Sequence, residues 1–157
     1  MENNLEKMKK IQKYLAELET KIPNQEDYNP TISKSNVGWH IEHSLLTIER
    51  IIEAVQKSNP DNYKWSFKLP RILVFTMNKM PRGRAKAPKV VVPNTYDEQT
   101  LLEHLKTVTL KIQEIENISP DKYFDHPFFG NLKLNKAVKM LEIHTNHHLE
   151  IINDILK

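Results

Sequence analysis

Apolar residues recur every three or four positions along most of this chain, which is the spacing of helices that bury one face. The first such segment covers residues 3–22 and is ended by Pro23. A second segment begins at Ser35 or Asn36, either of which can cap a helix, and continues to Lys57. The pattern therefore predicts two long amphipathic helices that are joined by a polar loop.

The second half of the chain shows the same spacing with more interruptions. Residues 65–80 are predicted to contain a third helix with Pro70 in its first turn, although the β-branched content nearby leaves a strand as the alternative. A fourth helix opens with a capping-box pattern at residues 95–98. A loop with four aromatic residues and a glycine is predicted for residues 119–134, and the last helix begins at about Asn135.

These elements predict an all-α fold, a four-helix bundle with a short extra helix. The 157 residues fit one domain, so we assign residues 1–157 to a single helical bundle. Three glycines are too few for a turn-rich β fold or a Gly-rich phosphate loop. The chain has no cysteine, which excludes disulfides, thiolate metal sites and cysteine nucleophiles.

Charge and hydropathy narrow the expected location and partners. The formal net charge is +3, which does not require a polyanionic partner. The chain contains no apolar run of 18 residues, and its first ten residues lack the layout of a signal peptide. We therefore expect a cytoplasmic protein that has no membrane partner.

Residues 79–93 form a long connection with three prolines, one glycine, five basic residues and no acid. This composition is typical of an exposed loop, and loops of this length are often functional. The loop lacks interleaved aromatic residues, so we do not expect it to bind nucleic acid. It could instead act as a basic rim that attracts anionic substrates.

The histidines are the residues that suggest chemistry. His144 and His148 are four positions apart on the last helix, so both rings lie on the face that also carries Leu141. Buried imidazoles need partners for both ring nitrogens, and a divalent metal would satisfy two of them. His40 and His43 on the second helix are the candidates for a third ligand. Without cysteine, any metal site must consist of imidazoles, carboxylates and water.

An enzyme of this kind would need an acid or base beside the metal. Glu42 and Glu150 neighbour the proposed ligands but lie about 100° or more from the ligand face, which makes them weak candidates. His40 and His126 are better placed, and Asn146 is a further candidate. We predict catalytic roles for the two histidines.

Two other histidines are expected outside the site. His104 has no histidine near it in the sequence, so we expect it to face solvent or to cap a helix. His147 is displaced by about 100° from its neighbour and is expected at the rim. Four aromatic residues in the last loop would line the mouth of the site or plug the end of the bundle: Tyr123, Phe124, Phe128 and Phe129.

Three stretches together resemble a known family. They are SNVGWHIEH at residues 35–43, HPFFG at residues 126–130 and HTNHHLEII at residues 144–152. In helix order and in these motifs the chain resembles the DinB-like (DinB/YfiT) superfamily of metal-binding four-helix bundles. The nearest likeness is to its branch of uncharacterised proteins with a His-Pro-Phe-Phe-Gly loop. The family motif often begins with a tryptophan where this chain has Ser35, and Trp39 follows one turn later.

The resemblance implies a site of three histidines, one from the second helix and two from the last. Matched by position, these are His43, His144 and His148, and His40 remains the rival for the first of them. The implied cofactor is a divalent transition metal, zinc or nickel in the first place and manganese or iron as alternatives.

The resemblance also implies a class of activity. Members with known roles include metal-dependent hydrolases and enzymes that use low-molecular-weight thiols. We therefore expect a metal-dependent hydrolase or thiol S-transferase that acts on a small molecule, with the thiol as a candidate substrate. The alternative is a non-catalytic metal-binding or structural bundle. In either case the chain is a candidate homodimer.

Overall fold

The computed structural model describes residues 3–83 and 86–157. Met1 and Glu2 of the N-terminal stretch, and Arg84 and Ala85 of the predicted basic loop, lie outside the described residues. Within the described ranges the chain forms five α-helices and two strands. They are α1 Asn4–Lys21, α2 Val37–Lys57, α3 Leu69–Met77, α4 Glu98–Gln113, β1 Tyr123–His126, β2 Gly130–Lys133 and α5 Leu134–Ile155.

The helix boundaries agree with the stop and start signals in the sequence. The side chain of Asn36 caps α2 by accepting a hydrogen bond of 2.9 Å from the backbone N–H of Trp39. Pro70 lies in the first turn of α3, where its missing N–H costs no helical hydrogen bond. The capping box of α4 exists but is formed by Asp97 and Thr100, two residues later than the start of the predicted pattern.

The four long helices surround one apolar core. α1 and α2 each pack against both α4 and α5, so each long helix has two long neighbours. The largest side chains that are fully buried come from all four of these helices and include Ile11, Leu15, Leu18, Ile41, Leu45, Ile48, Leu101, Ile112, Met140 and Leu141. The apolar spacing in the sequence thus marks the faces that meet, as expected for helices stabilised by packing.

The expectation of an all-α chain is wrong for residues 123–133. β1 and β2 form an antiparallel hairpin in which Tyr123 pairs with Lys133 and His126 pairs with Gly130. Strands of four residues are too short to give a period that sequence reasoning can detect. Gly130 has a φ of 68°, which favours glycine at this end of the turn. The fold is therefore mostly helical with one small sheet.

Across the described parts of the chain, no helix is both long enough and apolar enough to cross a membrane.

Candidate metal centre

Three histidine rings from two neighbouring helices converge in the interior. His43 lies in the second turn of α2, and His144 and His148 lie on successive turns of α5. One nitrogen from each ring can be chosen so that all three lie within 4.8 Å of one another. The Nε2 atoms of His43 and His144 are 3.2 Å apart. The packing of α2 against α5 therefore brings His43 beside two potential ligands that lie about a hundred residues later in the sequence.

The contacts of His43 fix the position of its proton. Its Nδ1 lies 2.8 Å from the backbone carbonyl oxygen of Val91. A carbonyl oxygen can only accept, so Nδ1–H must donate and Nε2 keeps a lone pair that points towards His144. Val91 ends the short turn Lys89–Val91 in the basic loop and is itself buried. This loop therefore reaches the centre with its backbone, a contact for which the sequence gives no signal.

His40 lies beside the three rings and contacts one of them. Its Nδ1 is 2.9 Å from Nδ1 of His148, and its Nε2 is 2.8 Å from the hydroxyl oxygen of Ser33. The same hydroxyl accepts a hydrogen bond from the backbone N–H of Ser35. His40 thus connects the cluster to the loop before α2, and both of its ring nitrogens have partners.

Trp39 closes one side of the cluster. Its ring stacks on that of His43 with centroids 4.8 Å apart and meets His40 edge-on at 5.2 Å. Beyond Trp39 lies an open cleft of about 340 Å³ that also includes Asn36 and Tyr96. The indole therefore separates the buried imidazoles from this cleft.

Burial keeps the clustered imidazoles neutral. It is the main cause that lowers the pKa of His43, and it lowers the pKa of His40 and His147 to about 4. The pKa values of His144 and His148 fall well below the ordinary value, again through burial first and then through the neighbouring imidazoles. At neutral pH the rings therefore carry lone pairs without the cost of removing a proton.

One nitrogen in the cluster has no partner among the described atoms. Nδ1 of His144 is buried and makes no hydrogen bond there. Leaving such an atom unsatisfied costs on the order of 1–3 kcal/mol. A water bound at Nδ1 would remove this cost, and it would orient the ring whose other nitrogen, Nε2, faces His43.

His126 is the last residue of β1, next to the hairpin turn, and it is close enough to His144 to help lower the pKa of that ring. Its Nδ1 accepts hydrogen bonds of 3.1 and 3.2 Å from the backbone N–H groups of Phe128 and Phe129. Its ring also stacks on Phe129 with centroids 4.2 Å apart. Burial lowers its pKa to about 4. These contacts give His126 a role in holding the turn, and its catalytic role stays a prediction.

Glu42, Glu150 and Asn146, which the sequence offered as further candidates for catalysis, form hydrogen bonds outside the histidine cluster. Glu42 accepts a hydrogen bond of 2.9 Å from His104 on α4, so neither residue faces the cluster. His104, expected to face solvent or to cap a helix, is instead half-buried in this pair. Asn146 donates to Glu150 one turn later on α5.

The remaining predicted rim residue lies beside the cluster. The ring of His147 is 5.1 Å from that of His148, at 82° to it. The charges of Arg82 and Lys79 help to lower its pKa, although burial has the larger effect. Arg82 is in turn held by Asp154 at 2.8 Å. The first part of the basic loop thus runs along the last turns of α5.

Comparison with known proteins gives one match. The sequence model of a family described as "Protein of unknown function (DUF1569)" matches residues 24–154, which include α2 to α4, the hairpin and nearly all of α5. All of the clustered histidines fall within the matched range. No curated protein and no solved structure matches the chain.

Proposed function

We propose that this chain, which belongs to the DUF1569 family, binds a divalent transition metal through His43, His144 and His148. The observation that carries the proposal is the convergence of three neutral imidazoles on one point between α2 and α5. Two of them also lie at the spacing that a shared ion requires. Nitrogens that are each about 2.1 Å from one ion stand roughly 3.0–3.4 Å apart at angles of about 90–109°, and the Nε2 atoms of His43 and His144 are 3.2 Å apart.

Groups around the rings support this ligand set. Ligating histidines usually donate their second ring N–H to a carbonyl, carboxylate or water, which orients the ring. His43 does so to the carbonyl of Val91. A metal at Nε2 of His148 leaves the ring proton on Nδ1, which then donates to Nδ1 of His40. His40 in turn donates from Nε2 to the hydroxyl of Ser33, so we assign it an orienting role.

This assignment favours His43 over His40 as the ligand from α2. His40 has both nitrogens engaged, with His148 and with Ser33. His43 keeps one lone pair directed at His144. The resemblance to DinB-like bundles, proposed from the sequence motifs, leads to the same three histidines.

The chemistry follows from the donor set. Three neutral imidazoles with no thiolate suit zinc or nickel, and manganese or iron as alternatives, and they leave coordination positions for water or substrate. Such an ion polarises a bound carbonyl, lowers the pKa of a bound water to about 7 or holds a thiolate. We therefore propose a metal-dependent enzyme that acts on a small molecule, either a hydrolase or a thiol-dependent S-transferase. His126 remains the candidate proton donor or acceptor from the sequence, and the same prediction for His40 stands beside its orienting role.

Burial supports a second candidate function. His43 and His148 are only 4% and 8% exposed, and Trp39 stands between His43 and the open cleft. A closed site of this kind would tie α2 to α5, as structural metals do. In that case the protein is a non-catalytic bundle, with a second copy of the chain as its candidate partner.

Metal content tests the ligand assignment. Purified protein reconstituted with zinc or nickel is expected to retain about one ion per chain after dialysis, as measured by elemental analysis. His144→Ala should lose that ion because two imidazoles make a weak site. His104→Ala is the matched control, since His104 bonds to Glu42 on the far side of α2. Wild-type protein that retains no ion, or His144→Ala that retains as much as the control, refutes the ligand set.

Access to the ion separates the enzyme from the structural alternative. In cobalt-substituted protein, an open site binds an added thiol such as 2-mercaptoethanol, which changes the visible absorption spectrum. A closed site leaves the spectrum unchanged, and its chelation lowers the melting temperature by many degrees because the ion ties two helices together. An unchanged spectrum together with a large fall in melting temperature on chelation would refute the enzyme and support the structural role.

A further inference from the structure

The positive charge of this chain is concentrated in one segment. Residues 63–96 contain eight basic residues and no acidic one, which leaves 15 basic and 20 acidic residues for the rest of the chain. The basic residues are Lys64, Lys68, Arg71, Lys79, Arg82, Arg84, Lys86 and Lys89. A small net charge of +3 therefore hides a strongly basic stretch on an otherwise acidic protein.

The same segment exposes the largest apolar side chains of the described surface. Trp65, Phe67 and Met77 are 68%, 65% and 70% exposed, and Leu69, Ile72 and Leu73 are between 42% and 56% exposed. The two aromatic rings alone leave on the order of 250 Å² in solvent. The four aliphatic side chains of α3 add to this exposed apolar area, and an exposed apolar area of several hundred Å² typically marks an interaction site.

Helix α3 presents this apolar surface outward by its geometry. Leu69, Ile72, Leu73 and Met77 are three or four residues apart, so they share one face of the helix. The helix contacts the core beside this face, where Val74 is the only buried residue of α3 and Phe75 packs partly buried. Arg71 attaches the helix to the hairpin by donating to the carbonyl of Phe129. An amphipathic helix whose apolar stripe faces solvent needs a partner on that stripe.

We propose that residues 64–77 form a docking surface for an anionic lipid bilayer. Exposed lysines flank the apolar side chains at Lys64 and Lys68, and Lys79 follows the helix. The apolar chains enter the headgroup boundary, while the lysine stems extend and keep their ammonium groups among the lipid phosphates. The surface thus offers apolar burial and positive charge together, which is the combination that binds interfaces. This docking is independent of the proposed metal and reverses the expectation of no membrane partner.

Charge favours the bilayer over a protein partner. A second copy of the chain that docked the same patch on itself would bring the same lysines together without any acid from residues 63–96 to offset them. Protein interfaces are also depleted in lysine at their centres, whereas the exposed Lys64 and Lys68 here flank the exposed Trp65 and Phe67.

Side-chain type favours the bilayer over nucleic acid. Single strands bind by stacking bases on aromatic rings, for which Trp65 and Phe67 would be suitable. Four of the six exposed apolar residues are aliphatic, and a nucleic acid has no comparable surface to cover Leu69, Leu73 and Met77. A bilayer accommodates both kinds of side chain.

Vesicle sedimentation with the full-length protein tests the proposal. Wild-type protein is expected to sediment with vesicles of phosphatidylcholine and about one-third phosphatidylglycerol, not with phosphatidylcholine alone, and to be released as salt rises. The Lys64→Glu/Lys68→Glu variant should bind at least about 25-fold more weakly, at roughly fivefold for each lysine lost. Leu73→Glu should also reduce binding strongly.

Matched variants elsewhere on the surface provide the controls. Lys9→Glu/Lys106→Glu makes the same change of charge at exposed positions of α1 and α4, and Leu110→Glu replaces a leucine that is 57% exposed. These variants should sediment almost as wild type does, and circular dichroism should show that all variants are folded. Equal losses in the controls would indicate unspecific attraction and overturn the proposal.

Three other results would also overturn it. The first is the absence of sedimentation with anionic vesicles at low salt. The second is a protein that does not bind vesicles but forms a dimer in analytical ultracentrifugation, with Leu73→Glu dissociating that dimer. A second copy of the chain would then cover residues 64–77. The third is binding to a single-stranded oligonucleotide without binding to vesicles.

Discussion

Replacing His126 by asparagine should make the fold more resistant to mild acid. The Nδ1 atom of His126 accepts two backbone N–H groups in the hairpin turn, and burial lowers its pKa to about 4 from an ordinary value of 6.5. Protonation would place an N–H against those two donors. The side-chain oxygen of asparagine accepts the same kind of turn hydrogen bonds but cannot be protonated in this range.

The size of the effect follows from the difference in pKa. The unfolded chain takes up a proton at His126 below about pH 6.5, whereas the folded chain takes it up only near pH 4. The contribution of the neutral His126 ring to the free energy of unfolding is therefore fully present above pH 6.5 and falls as the pH decreases towards 4. At pH 5 the loss attributable to this ring is roughly 1–2 kcal/mol, with some allowance for its partial exposure.

Urea unfolding of metal-free protein at pH 7.5 and pH 5 measures this loss. Wild-type protein should lose about 1–2 kcal/mol more than His126→Asn between the two conditions. His104 provides a control of opposite sign: burial lowers its pKa, but the hydrogen bond and charge of Glu42 and the charge of Glu49 outweigh burial and raise it. His104→Asn should therefore lose more stability in acid than wild type does. Identical pH dependence in wild type and His126→Asn would refute the reasoning.

Two further substitutions test the surroundings of the cluster. Gly38→Ala should destabilise the fold by about 1–3 kcal/mol, since a Cβ atom there would lie 2.5 Å from the ring of Tyr96. The loss should shrink in a Tyr96→Ala background in denaturant titrations, and an undiminished loss would contradict the clash. His40→Phe should weaken zinc binding by about 10- to 100-fold because it removes the partner of a ligand ring. His40→Gln, which keeps an acceptor, should restore much of the affinity in a competition assay with a chelator, and equal affinities for all three proteins would contradict the orienting role.

The sequence was informative where local rules determine the structure. The apolar spacing located the four long helices, because a helix that packs on a core repeats its buried residues every three or four positions. It also predicted α3, although a strand was left as the alternative there. Asn36 and Pro70 marked helix starts for similar local reasons, since a cap or a proline acts within one turn. The hairpin escaped this reasoning because its strands have four residues each.

The histidines also show which features follow from local sequence and which depend on distant residues. The spacing of His144 and His148 placed both on one face of α5, and the absence of cysteine limited the ligands to imidazole, carboxylate and water. Sequence spacing alone could not choose between His40 and His43, since both lie on the inward side of α2. The two histidines differ in their partners: His43 bonds to the carbonyl of Val91 and His40 contacts His148. Both partners are distant in sequence.

The sequence by itself thus determined the four long helices, their buried faces and the candidate ligand types, because periodicity, capping and residue chemistry are local properties. Only the tertiary structure decided which nitrogen keeps a free lone pair, which polar atom is left buried without a partner and which apolar stripe faces solvent. Each of these depends on what another element places opposite a side chain. The apolar stripe on α3 illustrates the point: its spacing is that of a core helix, yet all four of its residues are exposed and the helix buries only Val74.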